Sequence, residues 1–322
     1  MDEVRRHRHP GRLHVARQML TLAMSACLLA SCGSHSTPDR TAGGSPTLSA
    51  EAPGPRSSVA QPRPSEISGD LQTLPATGNA AELARQLESA LATLRDRRAT
   101  ASDVRRAGEF QQLAVRTLAT APVAFRRKVT ARLHPEAALL TRSDVRAARL
   151  LHEMTSPQKK LPRWRIVAPP PAKELLSHYH EAQRRVGVPW TYLAAIHLVE
   201  TRMGRIRGAS TAGARGPMQF LPSTWALYGH GGNINDPRDA ILAAARLLRH
   251  NGAPGDMAKA LWHFNPSENY VRAVTEYART MQRSNSAYRG YWHWRVLYRH
   301  VRGTYVLPVG YPDSHAVLLQ DN

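Results

Sequence analysis

Apolar residues recur at helical spacing through most of the chain from residue 80 onward. The first stripe joins four residues separated by four, four and three positions: Leu83, Leu87, Leu91 and Leu94. A second stripe follows Asp103, which we interpret as a helix cap. Further helical patterns cover residues 122–133, 136–153, 175–186, 190–201, 237–250, 256–263 and 269–283. Strand signals are sparse, so the pattern predicts a mainly α protein.

Two breaks divide this helical pattern. The Pro-rich run Ala168 to Pro171 predicts a stiff connector between two helical regions. A Gly-rich stretch from Gly204 to Asp236 predicts a long loop. After Tyr288 the sequence is aromatic and basic, with one alternating segment at residues 304–307 that fits a short strand.

The N-terminus has the pattern of an export signal. A basic stretch, Arg5 to Arg17, precedes an apolar run, Met19 to Ala30, that is too short for a permanent membrane helix. It ends in Leu-Ala-Ser-Cys32, which resembles the lipobox of bacterial lipoproteins. That resemblance implies cleavage before Cys32, acylation of this residue, and attachment to the outer face of the cell membrane. A plain cleavable signal is the alternative.

Composition limits the classes of partner. The formal charge is +20 and the calculated pI about 11.0, so the chain is expected to attract polyanions. Residues 80–165 carry eighteen Lys and Arg against eight Asp and Glu. Because an exported protein rarely meets nucleic acid, we expect acidic wall polymers or the membrane surface as partners. A basic, solvated helical face without a ligand is the alternative.

The segment Trp190 to Thr201 carries the strongest chemical signal. It is apolar on nearly every side, which is typical of a helix at the centre of a domain, yet it ends in the carboxylate Glu200. Burial and the negative helix end would both raise the pKa of this group, as a general acid requires. A structural ion pair with Arg202 or Arg205 is the alternative.

The following loop lacks a second carboxylate. No Asp or Glu occurs between Glu200 and Asp236, whereas hydrolytic glycosidases generally use two. One carboxylate suffices if the substrate supplies its own nucleophile, as the 6-hydroxyl of muramic acid can. Four later acids remain alternatives as a second carboxylate: Asp236, Asp239, Glu268 and Glu276.

Four motifs in order carry a family resemblance. They are Val199-Glu-Thr-Arg-Met-Gly204, Gly216-Pro-Met-Gln-Phe-Leu-Pro-Ser-Thr-Trp225, Ile234-Asn-Asp-Pro237, and Phe264-Asn-Pro-Ser267 with Tyr270. Together they resemble lytic transglycosylases of the soluble and membrane-bound type B groups, over roughly residues 170–283. The resemblance implies a lysozyme-like fold, related to goose-type lysozyme. The helical patterns of residues 80–165 predict a helical subdomain N-terminal to it.

The resemblance also implies a site and its substrate. Glu200 would be the acid and base acting on peptidoglycan glycan strands. The expected substrate-binding residues are Thr201, Met218, Gln219, Phe220, Phe264, Asn265 and Tyr270. No cofactor and no metal are expected, and the protein is expected to be monomeric. The predicted segments are a signal (1–32), a flexible linker (33–79), a helical accessory region (80–165), a catalytic domain (166–285) and a tail (286–322).

One departure from the family pattern keeps alternatives open. Many relatives carry Tyr where this chain has Phe264, and the missing hydroxyl would weaken activity or pass its role to His263 or Tyr270. A wall-binding lipoprotein without activity is therefore one competing interpretation, and a hydrolytic muramidase is another. A basic membrane-surface structural protein is a third, which leaves the four motifs unexplained.

Overall fold

The computed structural model describes residues 79–320. The predicted signal, Cys32 and nearly all of the predicted linker lie outside this range and remain predictions. None of the helices within the range has the length and apolar character needed to cross a bilayer.

Residues 79–320 form eleven helices and five short strands. The helices are α1 (Ala80–Arg95), α2 (Ala101–Thr120), α3 (Val123–Thr130), α4 (Pro135–Glu153), α5 (Ala172–Val186), α6 (Trp190–Thr201), α7 (Pro222–Tyr228), α8 (Pro237–His250), α9 (Met257–Phe264), α10 (Glu268–Arg283) and α11 (Asn285–Trp292). The strands are β1 (Arg165–Ile166), β2 (Ile206–Arg207), β3 (Val296–His300), β4 (Gly303–Leu307) and β5 (Val317–Leu318). The prediction of a mainly α protein is confirmed.

Three local expectations need correction. The N-cap of α2 is Thr100, whose hydroxyl accepts a hydrogen bond from the backbone N–H of Asp103. Asp103 therefore lies inside the first turn. The predicted loop 204–236 contains α7, which begins at Pro222, a residue whose fixed φ suits a first helical turn. The tail contains α11 as well as strands, and its antiparallel hairpin pairs β3 with β4.

A continuous hydrophobic core extends from α1 to α11. Helix α6 lies within it, with Leu193, Ala194, Ile196 and Leu198 fully buried, as expected for a helix that is apolar all round. The accessory helix α4 packs along α10. The division at residue 165 stays a prediction, and hydrophobic contacts continue across it.

Buried polar contacts also join the accessory helices to the tail. Gln112 of α2 makes two hydrogen bonds of 2.8 Å with the backbone of Arg295, one as donor and one as acceptor. Asp144 of α4 accepts a hydrogen bond from the Tyr291 hydroxyl of α11. Burial raises the pKa of Asp144 to about 7. The Gln112 contacts hold the residue before β3 against α2, beside the cavity described below, and the Asp144 contact ties α4 to α11.

Candidate active site

Glu200 lies at the last turn of α6 and faces a cavity of about 470 Å³. Helix α6 ends there because Arg202, Met203 and Gly204 all adopt left-handed backbone conformations, with φ of 53°, 59° and 83°. This turn stops the helix directly after the carboxylate. Left-handed non-glycine residues are strained and are concentrated at functional sites.

The Glu200 carboxyl is half-buried and accepts a hydrogen bond from the Tyr270 hydroxyl at 2.7 Å. Burial raises the pKa of Glu200 to about 7, and the Tyr270 hydrogen bond opposes that rise. The two arginines that follow make backbone contacts. Arg202 donates to the Leu198 carbonyl at 2.7 Å, and Arg205 donates to the Arg202 carbonyl at 3.3 Å. Near neutral pH, Glu200 is therefore divided between its acid and carboxylate forms.

The charged side chains of the cavity wall are mostly basic. Among residues 79–320, Glu200 is the one carboxylate that lines this cavity. Its cationic side chains are Arg116, Arg202 and Arg299, and two histidines also line it. Among residues 79–320, this cavity wall therefore contains no second carboxylate of the kind that hydrolytic glycosidases use.

The four later acids that were considered as a second carboxylate make contacts elsewhere in the described structure. Asp236 caps α8 by accepting the Asp239 amide hydrogen bond, and the Asp239 carboxyl accepts from the Asn233 amide. Glu276 pairs with Arg146 at 3.1 Å, and Glu268 lies 3.7 Å from Arg272. None of the four is among the residues that line the Glu200 cavity in the described range.

Asn265 completes the polar part of the wall near Glu200. Its side chain lines the cavity and is 4% exposed, and within residues 79–320 its Oδ1 has no hydrogen-bond partner. A buried amide oxygen without a partner costs free energy. An N–H group of a ligand would satisfy it.

An aromatic series holds the Tyr270 hydroxyl in place. Tyr270 stacks on Phe264 with ring planes 3° apart, and Phe264 meets Phe220 edge-to-face at 6.0 Å. Phe220 contacts Trp225 in the same manner at 5.4 Å. Phe264 therefore lacks a hydroxyl of its own but packs against the residue whose hydroxyl reaches Glu200.

The loop 216–220 was predicted to bind substrate, but none of its residues is among those that line the Glu200 cavity. Met218 and Phe220 are buried at 0% and 2% exposure, so their side chains support the loop from within the core instead of lining the Glu200 cavity. The Gln219 amide donates to the Gly216 carbonyl at 3.0 Å, within its own loop. Gly216 is required here, because its φ is +74° and a Cβ would lie 1.9 Å from the Ile234 carbonyl oxygen.

Thr201 ties this loop to α6 and is fully buried. Its hydroxyl donates to the Pro217 carbonyl at 2.6 Å and accepts from the Gly204 amide at 3.1 Å. The side chain thus fixes the loop to the turn after Glu200 and does not reach the cavity surface.

Thr201→Val is expected to lower the free energy of unfolding by about 2–4 kcal/mol, because it leaves a buried carbonyl and a buried amide without partners. Urea denaturation monitored by circular dichroism measures this change. Thr201→Ser keeps the hydroxyl and serves as the matched control. Equal stability of the Val variant and the wild type would show that these two hydrogen bonds contribute nothing.

Several cavity residues were missed by sequence reasoning. They come from α2, α4, the segment before β1, and the hairpin β3–β4: Gln112, Arg116, His152, Trp164, Arg299 and Thr304. Trp164 meets Tyr298 edge-to-face at 5.6 Å, and its half-buried ring lines the cavity. Nothing in the local sequence marks these residues, because packing brings them together from elements far apart in the chain.

Comparison with protein families gives one match. Residues 177–286 match the family model described as the transglycosylase SLT domain. Comparison with curated proteins and with solved structures returned no significant match. This match confirms the resemblance stated from the four motifs and supports a lytic transglycosylase of the lysozyme-like superfamily over residues 177–286, about a third of the chain. The lipoprotein type remains a prediction.

Proposed function

We propose that this SLT domain cleaves the MurNAc–GlcNAc bond of peptidoglycan without water, with Glu200 as the sole acid and base. The observation that carries the proposal is the single carboxylate in the cavity wall of the described region. It is supported by burial, which raises the pKa of that carboxyl to about 7.

The proposed reaction needs one group that both gives and takes a proton. Protonated Glu200 donates its proton to the glycosidic oxygen, and the bond between that oxygen and C1 of MurNAc breaks. The 6-hydroxyl of the same MurNAc then attacks C1, and its proton passes to the Glu200 carboxylate. A 1,6-anhydromuramoyl end forms, and Glu200 is again protonated for the next cycle. A pKa near neutrality suits a group with both roles.

Two neighbouring side chains have supporting roles in this proposal. The Tyr270 hydroxyl orients the carboxyl and stabilises its anionic form, so the role that Phe264 cannot fill passes to Tyr270. The unpartnered Asn265 Oδ1 would accept the N–H of an acetamido group, which every sugar of the strand carries. The half-buried ring of Trp164 offers an apolar face for a sugar ring.

The anchor and location belong to the same proposal. Acylation at Cys32 would hold the enzyme on the outer face of the membrane, and the chain between Cys32 and α1 would span part of the distance to the wall. These features rest on sequence alone.

Mass spectrometry of purified wall digested with the enzyme tests the function. The expected products end in anhydromuramic acid. Products with reducing MurNAc ends would assign the protein to the hydrolytic muramidases. Absence of any soluble product would favour the wall-binding interpretation.

A further inference from the structure

A second concave surface lies on the accessory side of the molecule. It is a groove of about 460 Å³ between α3, α4 and the start of α10. We name it the arginine groove after the six arginines that line it: Arg126, Arg127, Arg142, Arg146, Arg149 and Arg272. Glu153 is the one acidic residue in its wall within residues 79–320.

Within residues 79–320, half of these arginines have no carboxylate in ion-pair distance. Arg146, Arg149 and Arg272 each lie within 4 Å of a glutamate, at 3.1, 3.9 and 3.7 Å. Among the described residues, no carboxylate lies within 4 Å of the three others: Arg126, Arg127 and Arg142. The groove therefore carries an excess of positive charge that no carboxylate of the described residues balances.

The charges are also crowded. Burial and the proximity of Arg149 together lower the pKa of Arg126. Like charges held together cost free energy, and a bound anion would relieve that cost. An ordinary solvated helix face would instead spread its cations apart or alternate them with acids.

Apolar side chains also line the groove. They are Leu118, Val123, Val145 and Leu150, and Val123 is 54% exposed. On α4 the arginines at 142, 146 and 149 lie on one face, and the first and last are about 10 Å apart along the helix axis. Cations are thus arranged along an apolar strip long enough for more than one anionic group.

We propose that the arginine groove binds a linear polymer of repeating polyol phosphates, whose backbone alternates short polyol units with phosphodiester groups. Guanidinium groups pair with phosphate oxygens in two-pronged, charge-assisted hydrogen bonds. The apolar lining residues accommodate the polyol carbons between phosphates. A concave groove between helices suits a chain better than it suits the flat surface of a membrane.

The position of the groove connects it with the catalytic cavity. Helices α4 and α10 line both, with Leu151 and Tyr270 facing the Glu200 cavity and Arg149 and Arg272 facing the groove. A polymer held there would keep the cavity next to the wall to which that polymer is attached. This role is separate from bond cleavage and does not depend on it.

The test measures binding of fluorescently labelled inorganic polyphosphate by anisotropy, at two salt concentrations. The triple variant Arg127→Gln, Arg142→Gln, Arg149→Gln is expected to bind about tenfold more weakly or worse, because three charge-assisted contacts are lost. The matched control changes three exposed arginines outside the groove, Arg97→Gln, Arg184→Gln and Arg283→Gln, and is expected to bind within about twofold of the wild type.

Equal losses in the two triple variants would overturn the proposal, since they would show attraction to net charge alone. Vesicles containing phosphatidylglycerol form the second arm. If the groove variant lost vesicle binding and kept polyphosphate binding, the site would be a membrane contact and the polymer would be excluded. Glu200→Gln is expected to bind polyphosphate as the wild type does. The binding result can therefore be interpreted even if the catalytic proposal fails.

Discussion

Replacing Glu200 by Gln is expected to abolish release of soluble fragments from purified peptidoglycan, with a loss of at least about a thousandfold in rate. Gln occupies nearly the same volume and can still accept the Tyr270 hydrogen bond, but it can neither give nor take a proton. Because Glu200 is the one carboxylate lining its cavity in the described region, no neighbour can substitute for it. Turbidity of a wall suspension measures the loss.

The control for this variant separates chemistry from folding. Glu268→Gln removes an exposed acid at the first residue of α10 and is expected to leave the rate unchanged. The pKa of Glu200 is raised to about 7 from an ordinary value near 4.5, so its ionisation costs folding free energy. That cost is absent below about pH 4.5 and complete above about pH 7. The Gln variant should thus be at least as stable as the wild type at pH 8. Wall cleavage retained by Glu200→Gln would contradict the assignment of the acid.

Tyr270→Phe is expected to lower the rate roughly ten- to a hundredfold, as removal of a hydrogen bond to an ionisable group does. The change also removes a hydrogen bond that holds the Glu200 pKa down against burial. The protonated acid is the active form at the start of the cycle, so activity of the wild type should fall as pH rises through about 7. In the variant this fall should move to higher pH.

A pH–rate profile of both proteins measures the shift. Tyr288→Phe is the matched control, because it removes a tyrosine hydrogen bond of 2.8 Å to the Ala172 carbonyl away from the cavity. That control should leave the pH midpoint in place. A Tyr270→Phe enzyme with a lower rate and an unmoved pH midpoint would reduce Tyr270 to a structural role.

Much of the helical framework could be predicted from periodicity. The four leucines of the first stripe are all buried in α1, and α6 has the bounds that its apolar run indicated. These two predictions agree with the structure because, in each, the spacing of apolar residues reflects burial within a single helix. The cap at Thr100 was misjudged because two polar residues with capping side chains lie three positions apart, and only geometry decides between them.

The candidate site could be predicted only in part. Glu200 was identifiable because an acid at the end of a wholly apolar helix is costly without a function. Met218 and Phe220 were predicted to bind substrate, yet their side chains are buried. The prediction failed because an aromatic cluster has the same sequence pattern in a hydrophobic core as in a sugar-binding site. The wall formed by Arg116, Trp164 and Arg299 depends on long-range packing, which no local pattern encodes.

Digestion of peptidoglycan in water enriched in ¹⁸O tests the central claim most directly. If Glu200 acts alone and the 6-hydroxyl of MurNAc is the nucleophile, the new ends are 1,6-anhydromuramoyl groups that contain no ¹⁸O. An ¹⁸O atom at C1 of the released MurNAc would show that water attacked the bond, and it would contradict the single-carboxylate account.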